Sequence, residues 1–187
     1  MTSGTLLFLR QLARNPVRVS AIAPSSTFLA RAMAAGITPA TGRVVEFGPG
    51  TGKLTDAILA SGLPPADLTC VELDPAFVAH LRTRLPAVRV LAAGADTAPD
   101  HVAPGVARVI SGLPLLSMPR SLREAIVGAA FRILAPGGVS VKFTYGANPP
   151  LDAEQMDRLG LKVAFGPKIW LNLPPARVLH FTRRDEI

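Results

Sequence analysis

The chain has one cysteine, one tryptophan and one tyrosine among 187 residues, and only 5% of its residues are aromatic. A single cysteine, Cys70, excludes a disulfide framework; its place inside an apolar stretch marks it as a reduced core thiol. So few rings leave little material for the stacking platforms on which single-stranded nucleic acids are held. No apolar run reaches the roughly 18 residues that a transmembrane helix requires, and the N-terminus lacks the pattern of a secretory signal. These absences give the expectation of a cytoplasmic protein. Acidic residues are also scarce, 13 against 20 Lys and Arg, which leaves a net charge of +7 and a pI near 10.7. Such a balance implies an anionic partner, nucleic acid or an acidic membrane surface, and the shortage of rings favours the membrane.

What is present is apolar. Nearly half of the residues (49%) are hydrophobic, too many for a disordered chain, and the length suits one domain. From Arg43 to Gly146 apolar strands and helices alternate. Strands are predicted near 43–47, 68–72, 88–92, 106–111 and 138–145, and helices near 53–61, 75–84 and 120–134. That order implies a parallel sheet covered on both faces, with ligands at the carboxyl ends of the strands. Glu46, Glu72, Asp96, Ser111 and Tyr145 all fall at those ends.

The organising stretch is Val44-Val45-Glu46-Phe47-Gly48-Pro49-Gly50-Thr51-Gly52, a strand running into a glycine turn and then a helix. Glycines at alternate positions remove the Cβ atoms that would keep a ligand off the backbone, and they permit positive φ. The turn opens a helix N-terminus, which attracts anionic groups. A Walker A loop fails, because Phe47 stands where its first glycine belongs and Leu54 follows the lysine. The dinucleotide fingerprint fails too, because the third glycine comes one residue early. The stretch resembles the first motif of the class I S-adenosylmethionine-dependent methyltransferases, an acidic residue followed by G-x-G-x-G. There Glu46 faces the cofactor's ammonium end, and Gly48, Gly50 and Gly52 lie against its carboxylate and ribose. The plain alternative is an ordinary glycine-rich turn.

Val71-Glu72-Leu73-Asp74-Pro75 closes the second strand. A carboxylate about twenty residues beyond the glycines suits the two hydroxyls of a ribose, and Glu72 is assigned that role. Asp74, next to Pro75, is assigned the cap of the following helix. Leu73 beside Glu72, and Ala95-Asp96 after the third strand, match the places that contact adenosine in that family. An extra small residue makes the third motif loose, so Asp96 is either such a contact or a solvated loop residue.

Residues 3–14 read as an amphipathic helix, with Arg10 and Arg14 beside Leu6, Leu9 and Leu12, and Arg18 follows after Pro16. A helix this short needs a surface to fold on, either the rest of the protein or an anionic bilayer. Val19 to Ser26 is a small-residue loop before a second helix, with Ser25 or Ser26 as N-cap and Gly36 as its stop. After Tyr145 come a helical patch at 152–158 and extended segments at 161–164, 168–173 and 177–182. The last two form an antiparallel hairpin about Pro174-Pro175.

With these residues in view, the chain resembles the bacterial phospholipid N-methyltransferases over nearly its full length. The narrow segments are Ser111-Gly112-Leu113-Pro114-Leu115-Leu116 and Leu173-Pro174-Pro175-Ala176-Arg177; Ala21 to Ser26 and Phe143-Thr144-Tyr145-Gly146 agree as well. The resemblance implies a seven-stranded, mostly parallel Rossmann-like sheet with an antiparallel C-terminal hairpin, preceded by N-terminal helices. It implies S-adenosylmethionine as cofactor and the amine headgroup of phosphatidylethanolamine, or of its methylated forms, as acceptor. Ornithine lipid fits the same pattern. Ribosomal RNA adenine methyltransferases share the plan, but Leu115 stands where they stack an aromatic on the base, so nucleic acid is not the expected partner. Ser111 is then a candidate at both the cofactor and the reacting end. Tyr145 orients the amine or serves as an aromatic wall. Lys168 or Arg177 holds the lipid phosphate, and Arg10, Arg14 and Arg18 meet the inner membrane face.

Overall fold

The computed structural model describes residues 26–172 and 174–184. The amphipathic helix expected at 3–14, with Arg10, Arg14 and Arg18, and most of the 19–26 loop lie outside them.

Seven strands form one sheet: β1 (Val44–Phe47), β2 (Leu68–Glu72), β3 (Arg89–Ala92), β4 (Val106–Ser111), β5 (Leu134–Thr144), β6 (Leu161–Ile169) and β7 (Ala176–Arg183). Their order is β3-β2-β1-β4-β5-β7-β6. The first five run parallel, while β7 is antiparallel to β5 and to β6. All four residues of β1 are buried, as a central strand covered on both faces must be. The chain builds outward from β1 through β2 to β3, then crosses to the other side of β1 for β4. That reversal opens a crevice at the carboxyl ends of β1 and β4.

Each face of the sheet carries a core. One packs α1 (Thr27–Met33), α2 (Lys53–Ala60) and α3 (Pro75–Arg84) on the sheet through Leu29, Met33, Leu54, Ile58, Val78 and Leu81. The other packs α4 (Arg120–Ile133), α5 (Ala153–Arg158) and the 3-10 turn Ala95–Asp100, through Ala98, Ile126, Ala130 and Met156. The caps follow the sequence. Ser26 Oγ accepts from Leu29 N at the start of α1, and Gly36 turns the chain at φ 76° beyond its end. Asp74 Oδ1 accepts from Ala76 N and Phe77 N ahead of α3. Asp152 and Gln155 form a capping box at α5.

Two boundaries differ from expectation. The segments expected at 161–164 and 168–173 are one strand to Ile169, followed by a turn. Gly166-Pro167 looks like a break, but β6 is the edge strand, where a proline with a shifted register is tolerated, and the register does shift between Phe165 and Lys168. Strand β5 likewise starts at Leu134, which pairs with Val106 before the register shifts, so Pro136-Gly137-Gly138 bends a strand instead of preceding one.

Lys142 breaks the apolar pattern of β5. It is buried, and its Nζ has no hydrogen-bond partner among the described residues. Burial disfavours the ammonium form and lowers its pKa from 10.5 to about 7. The stabilisation that the neutral amine allows is present above pH 10.5 and lost as the pH falls through 7. Lys142→Met should therefore raise the melting temperature at pH 6, with a gain that shrinks towards pH 10. Thermal denaturation across that range checks it; a pH-independent gain would assign the effect to packing alone.

Candidate functional site

The glycine turn needs its glycines for two separate reasons. Gly48, Gly50 and Gly52 all have positive φ (69°, 54° and 85°), which L side chains rarely adopt. A Cβ on Gly48 would stand 2.3 Å from Leu113 Cδ2, and one on Gly52 would stand 1.9 Å from Arg84 Nη2. A Cβ on Gly50 would meet nothing within 4 Å. Gly48 and Gly52 are therefore tight against protein, whereas the backbone of Gly50 borders open space.

Glu72 ties this turn to the end of β2. Its Oε2 accepts from Gly50 N at 3.0 Å, and its Oε1 accepts from Leu73 N at 2.8 Å and Asp74 N at 2.9 Å. Gly48 N donates to Val71 O and Gly112 N to Phe47 O, so the ends of β1, β2 and β4 are joined above the sheet. Ser111 is buried at the end of β4 and its Oγ accepts from Leu113 N at 3.4 Å. Ala95 and Asp96 begin the 3-10 turn beyond β3 on the same edge; Asp96 is half-buried, and its carbonyl accepts from Arg132 of α4.

Glu46 is fully buried rather than facing open space. Its Oε2 accepts from Thr55 Oγ1 of α2 at 2.7 Å and from Cys70 Sγ of β2 at 3.6 Å. Oε1 is enclosed and has no partner among the described residues, an acceptor suited to an ammonium group. Burial raises the Glu46 carboxyl from 4.5 to about 7, against the two hydrogen bonds. Burial, with Glu46 alongside, also raises the Cys70 thiol, which leaves it un-ionised. Thr55 was not legible as part of this site, although a polar side chain among the buried positions Leu54 and Ile58 of α2 is the signal it left.

Beside the turn, Pro114, Leu115, Leu116, Ser117, Phe143, Thr144 and Tyr145 line a pocket. Tyr145 packs edge-on against Phe143, centroids 5.2 Å apart. Its hydroxyl is enclosed without a well-formed hydrogen bond; burial raises its pKa, and the nearby Asn172 side chain opposes this only in part. Arg177 pairs with Thr144 across β5–β7 and with Lys168 across β6–β7, which brings both cations to the pocket's edge of the sheet. Lys142 follows the Ile110–Val141 pair on β5, one step on and beside Ser111; sequence reasoning passed over it.

Two outcomes test this geometry. Gly50→Ala should keep the fold at a cost of about 1–2 kcal/mol for its left-handed backbone, while weakening S-adenosylhomocysteine binding in calorimetric titration; Gly48→Ala, which adds a clash with Leu113, should cost more stability as well as binding. A carboxyl raised to about 7 carries no penalty below pH 4.5 and costs stability as the pH climbs through 7. The full loss is on the order of 3 kcal/mol. Glu46→Gln should remove that decline in denaturation curves at pH 5 and 8, and an unchanged decline would place its origin elsewhere.

Comparison with known proteins identifies the family. The family model described as a methyltransferase domain matches residues 44–138. An ornithine lipid N-methyltransferase of Singulisphaera acidiphila is 30% identical over 155 residues, 74% of this chain and 76% of that protein. A ribosomal RNA small subunit methyltransferase A of Burkholderia multivorans is 42% identical over 88 residues, 43% of this chain but 32% of its own length. The fold is shared with a TehB-like S-adenosylmethionine-dependent methyltransferase from Corynebacterium glutamicum: TM-score 0.66 at 15% identity, over 94% of this chain and 97% of that one. It is shared also with the glycopeptide N-methyltransferase MtfA in complex with S-adenosylmethionine: TM-score 0.66 at 15% identity, over 86% and 95%. With the family model spanning half of the sequence and a relative matched over three quarters of its length, the chain belongs to the class I S-adenosylmethionine-dependent methyltransferases.

Proposed function

We propose that the protein methylates the amine headgroup of a membrane lipid: phosphatidylethanolamine and its mono- and dimethyl forms, towards phosphatidylcholine. Ornithine lipid is a comparable acceptor, and the matched relative bears that name. The observation that carries the reading is the pocket at the end of β4, where Leu115 and Leu116 stand with Phe143 and Tyr145. Its wall suits an aliphatic amine; a base would need an aromatic partner at Leu115. The partial match to a ribosomal RNA methyltransferase makes RNA the second reading.

The cofactor is S-adenosylmethionine, which supplies a sulfonium methyl as the electrophile for an amine lone pair and leaves as S-adenosylhomocysteine. The Gly50 backbone, the unpartnered Glu46 Oε1 and the remaining acceptor capacity of Glu72 fit its amino-acid and ribose ends. Leu73, Ala95 and Asp96 would hold its adenine. An alkylamine with a pKa near 10, like that of Lys, must shed a proton before it attacks. The Tyr145 phenol, held protonated by burial, orients that amine as an acceptor rather than ionising itself, and the proton leaves to water. Alignment then supplies much of the acceleration. Arg177 and Lys168, paired at the pocket's edge, hold the headgroup phosphate. Work at the cytoplasmic face of the inner membrane, with Arg10, Arg14 and Arg18 towards anionic lipid, completes the proposal.

The test is transfer of label from S-adenosylmethionine to phosphatidylethanolamine or ornithine lipid in anionic vesicles, beside structured RNA. Label should enter lipid. Tyr145→Phe should lower kcat about tenfold, the equivalent of one hydrogen bond, with cofactor affinity unchanged. Arg177→Ala should raise the KM for lipid by about 10- to 100-fold, as expected for a lost bond to a charged group. Label confined to RNA would sink the proposal.

A further inference from the structure

Large exposed apolar side chains gather on one edge of the molecule. Trp170 and Leu171, adjacent in the turn between β6 and β7, are each 70% exposed; Leu116 on the pocket wall is 50% and Phe28 in the first turn of α1 is 51%. The turn lies at the carboxyl edge of the sheet, because Ile169 pairs with Ala176 and Arg177 pairs with Thr144 at the end of β5. Phe28 is held beside it, since Ser26 N donates to Asn172 Oδ1 in that turn at 2.9 Å. The turn is braced: Asn172 is buried, and its Nδ2 donates to Pro174 O at 2.8 Å.

A tryptophan at such exposure is unusual in a soluble surface. Its ring is suited to the headgroup level of a bilayer, apolar over most of its area with one polar N–H. The cations fit the same partner. Lys168 Nζ sits 3.9 Å from the centroid of Trp170, and the Arg177 guanidinium lies over Phe165 at 5.7 Å. Lys168 and Arg177 lie at the turn's end of the hairpin; Lys162, Arg183 and Arg184 lie at its other end, where Leu161 pairs with Arg183 and Arg184 meets Asp157. Each Lys or Arg near an anionic bilayer contributes about 1 kcal/mol.

We propose that the β6–β7 turn, led by Trp170 and Leu171 with Lys168 and Arg177 behind them, is a docking edge that seats in the headgroup layer of an anionic phospholipid bilayer. It sets the pocket at Tyr145 against the lipid surface. The purpose of this docking rests on the lipid-substrate reading; the docking itself is measured separately.

Trp170 is the single tryptophan of the chain, so its emission reports on this turn alone. With the full chain and vesicles of equal parts phosphatidylglycerol and phosphatidylethanolamine, emission should shift to the blue and be quenched by brominated acyl chains. Pure phosphatidylcholine vesicles should do much less. Trp170→Ala should lower the partition coefficient by about tenfold in co-sedimentation, and Lys168→Ala with Arg177→Ala should weaken it most at low salt. Unchanged S-adenosylhomocysteine affinity in Trp170→Ala checks its fold. Co-sedimentation with Trp170 still unquenched would overturn the proposal, as would no co-sedimentation, or an emission shift given by structured RNA but not by vesicles. Docking without label in any lipid would leave this edge standing and remove the substrate reading. Label entering vesicle lipid at the same rate in Trp170→Ala would do the reverse.

Discussion

One carboxylate holds the working edge of this protein together. Glu72 reaches from the end of β2 to the amide of Gly50, while it also closes its own strand on Leu73 and Asp74. A glycine turn with three positive φ angles is entropically costly to order, and this side chain fixes it where β1 and β4 diverge. Everything placed at that edge, from Ser111 to the pocket at Tyr145, takes its position from strands whose ends that turn joins. The same carboxylate keeps one lone pair of Oε2 free, so its structural service does not prevent it from meeting a ribose hydroxyl.

Two buried ionisable groups lie under that edge, and they pull stability in opposite directions with pH. Glu46 is easiest to bury as an acid, and Lys142 is easiest to bury as a free base. The fold tolerates both near neutrality because each is drawn towards pKa values of about 7. Their presence in otherwise apolar layers is a cost the core does not require, since a nonpolar side chain of similar volume would pack in either place. Such costs are found where a site needs a group in reserve.

Much of this was legible in the sequence, for identifiable reasons. Strand and helix alternation, the glycine turn and the Asp74 cap are dictated by local chemistry and show in the order of residues. Glu46 is a harder case: its type and spacing were readable, but not that it would turn onto Thr55 and Cys70, because that depends on how α2 settles against β2. Lys142 was invisible for the same reason, since one lysine within an apolar strand usually marks its solvent side. The continuity of β6 through Gly166-Pro167 could not be read either, because a proline's meaning depends on whether its strand lies at the edge of the sheet. Tertiary packing decided these points, and packing is not local in sequence.

The bond from Ser26 to Asn172 spans 146 positions of the chain. During synthesis the start of α1 therefore emerges long before its partner exists, and β5, β7 and β6 must pair before the turn that carries Asn172 takes shape. Contacts of such separation form late, because loop-closure entropy is met only after nearer contacts have been made. The entrance to the fold is thus fastened last, and until then α1 is secured by its apolar contacts, among them Leu29, Ala30 and Met33, against the core. A nascent chain of this kind would expose its apolar first helix for most of its time on the ribosome.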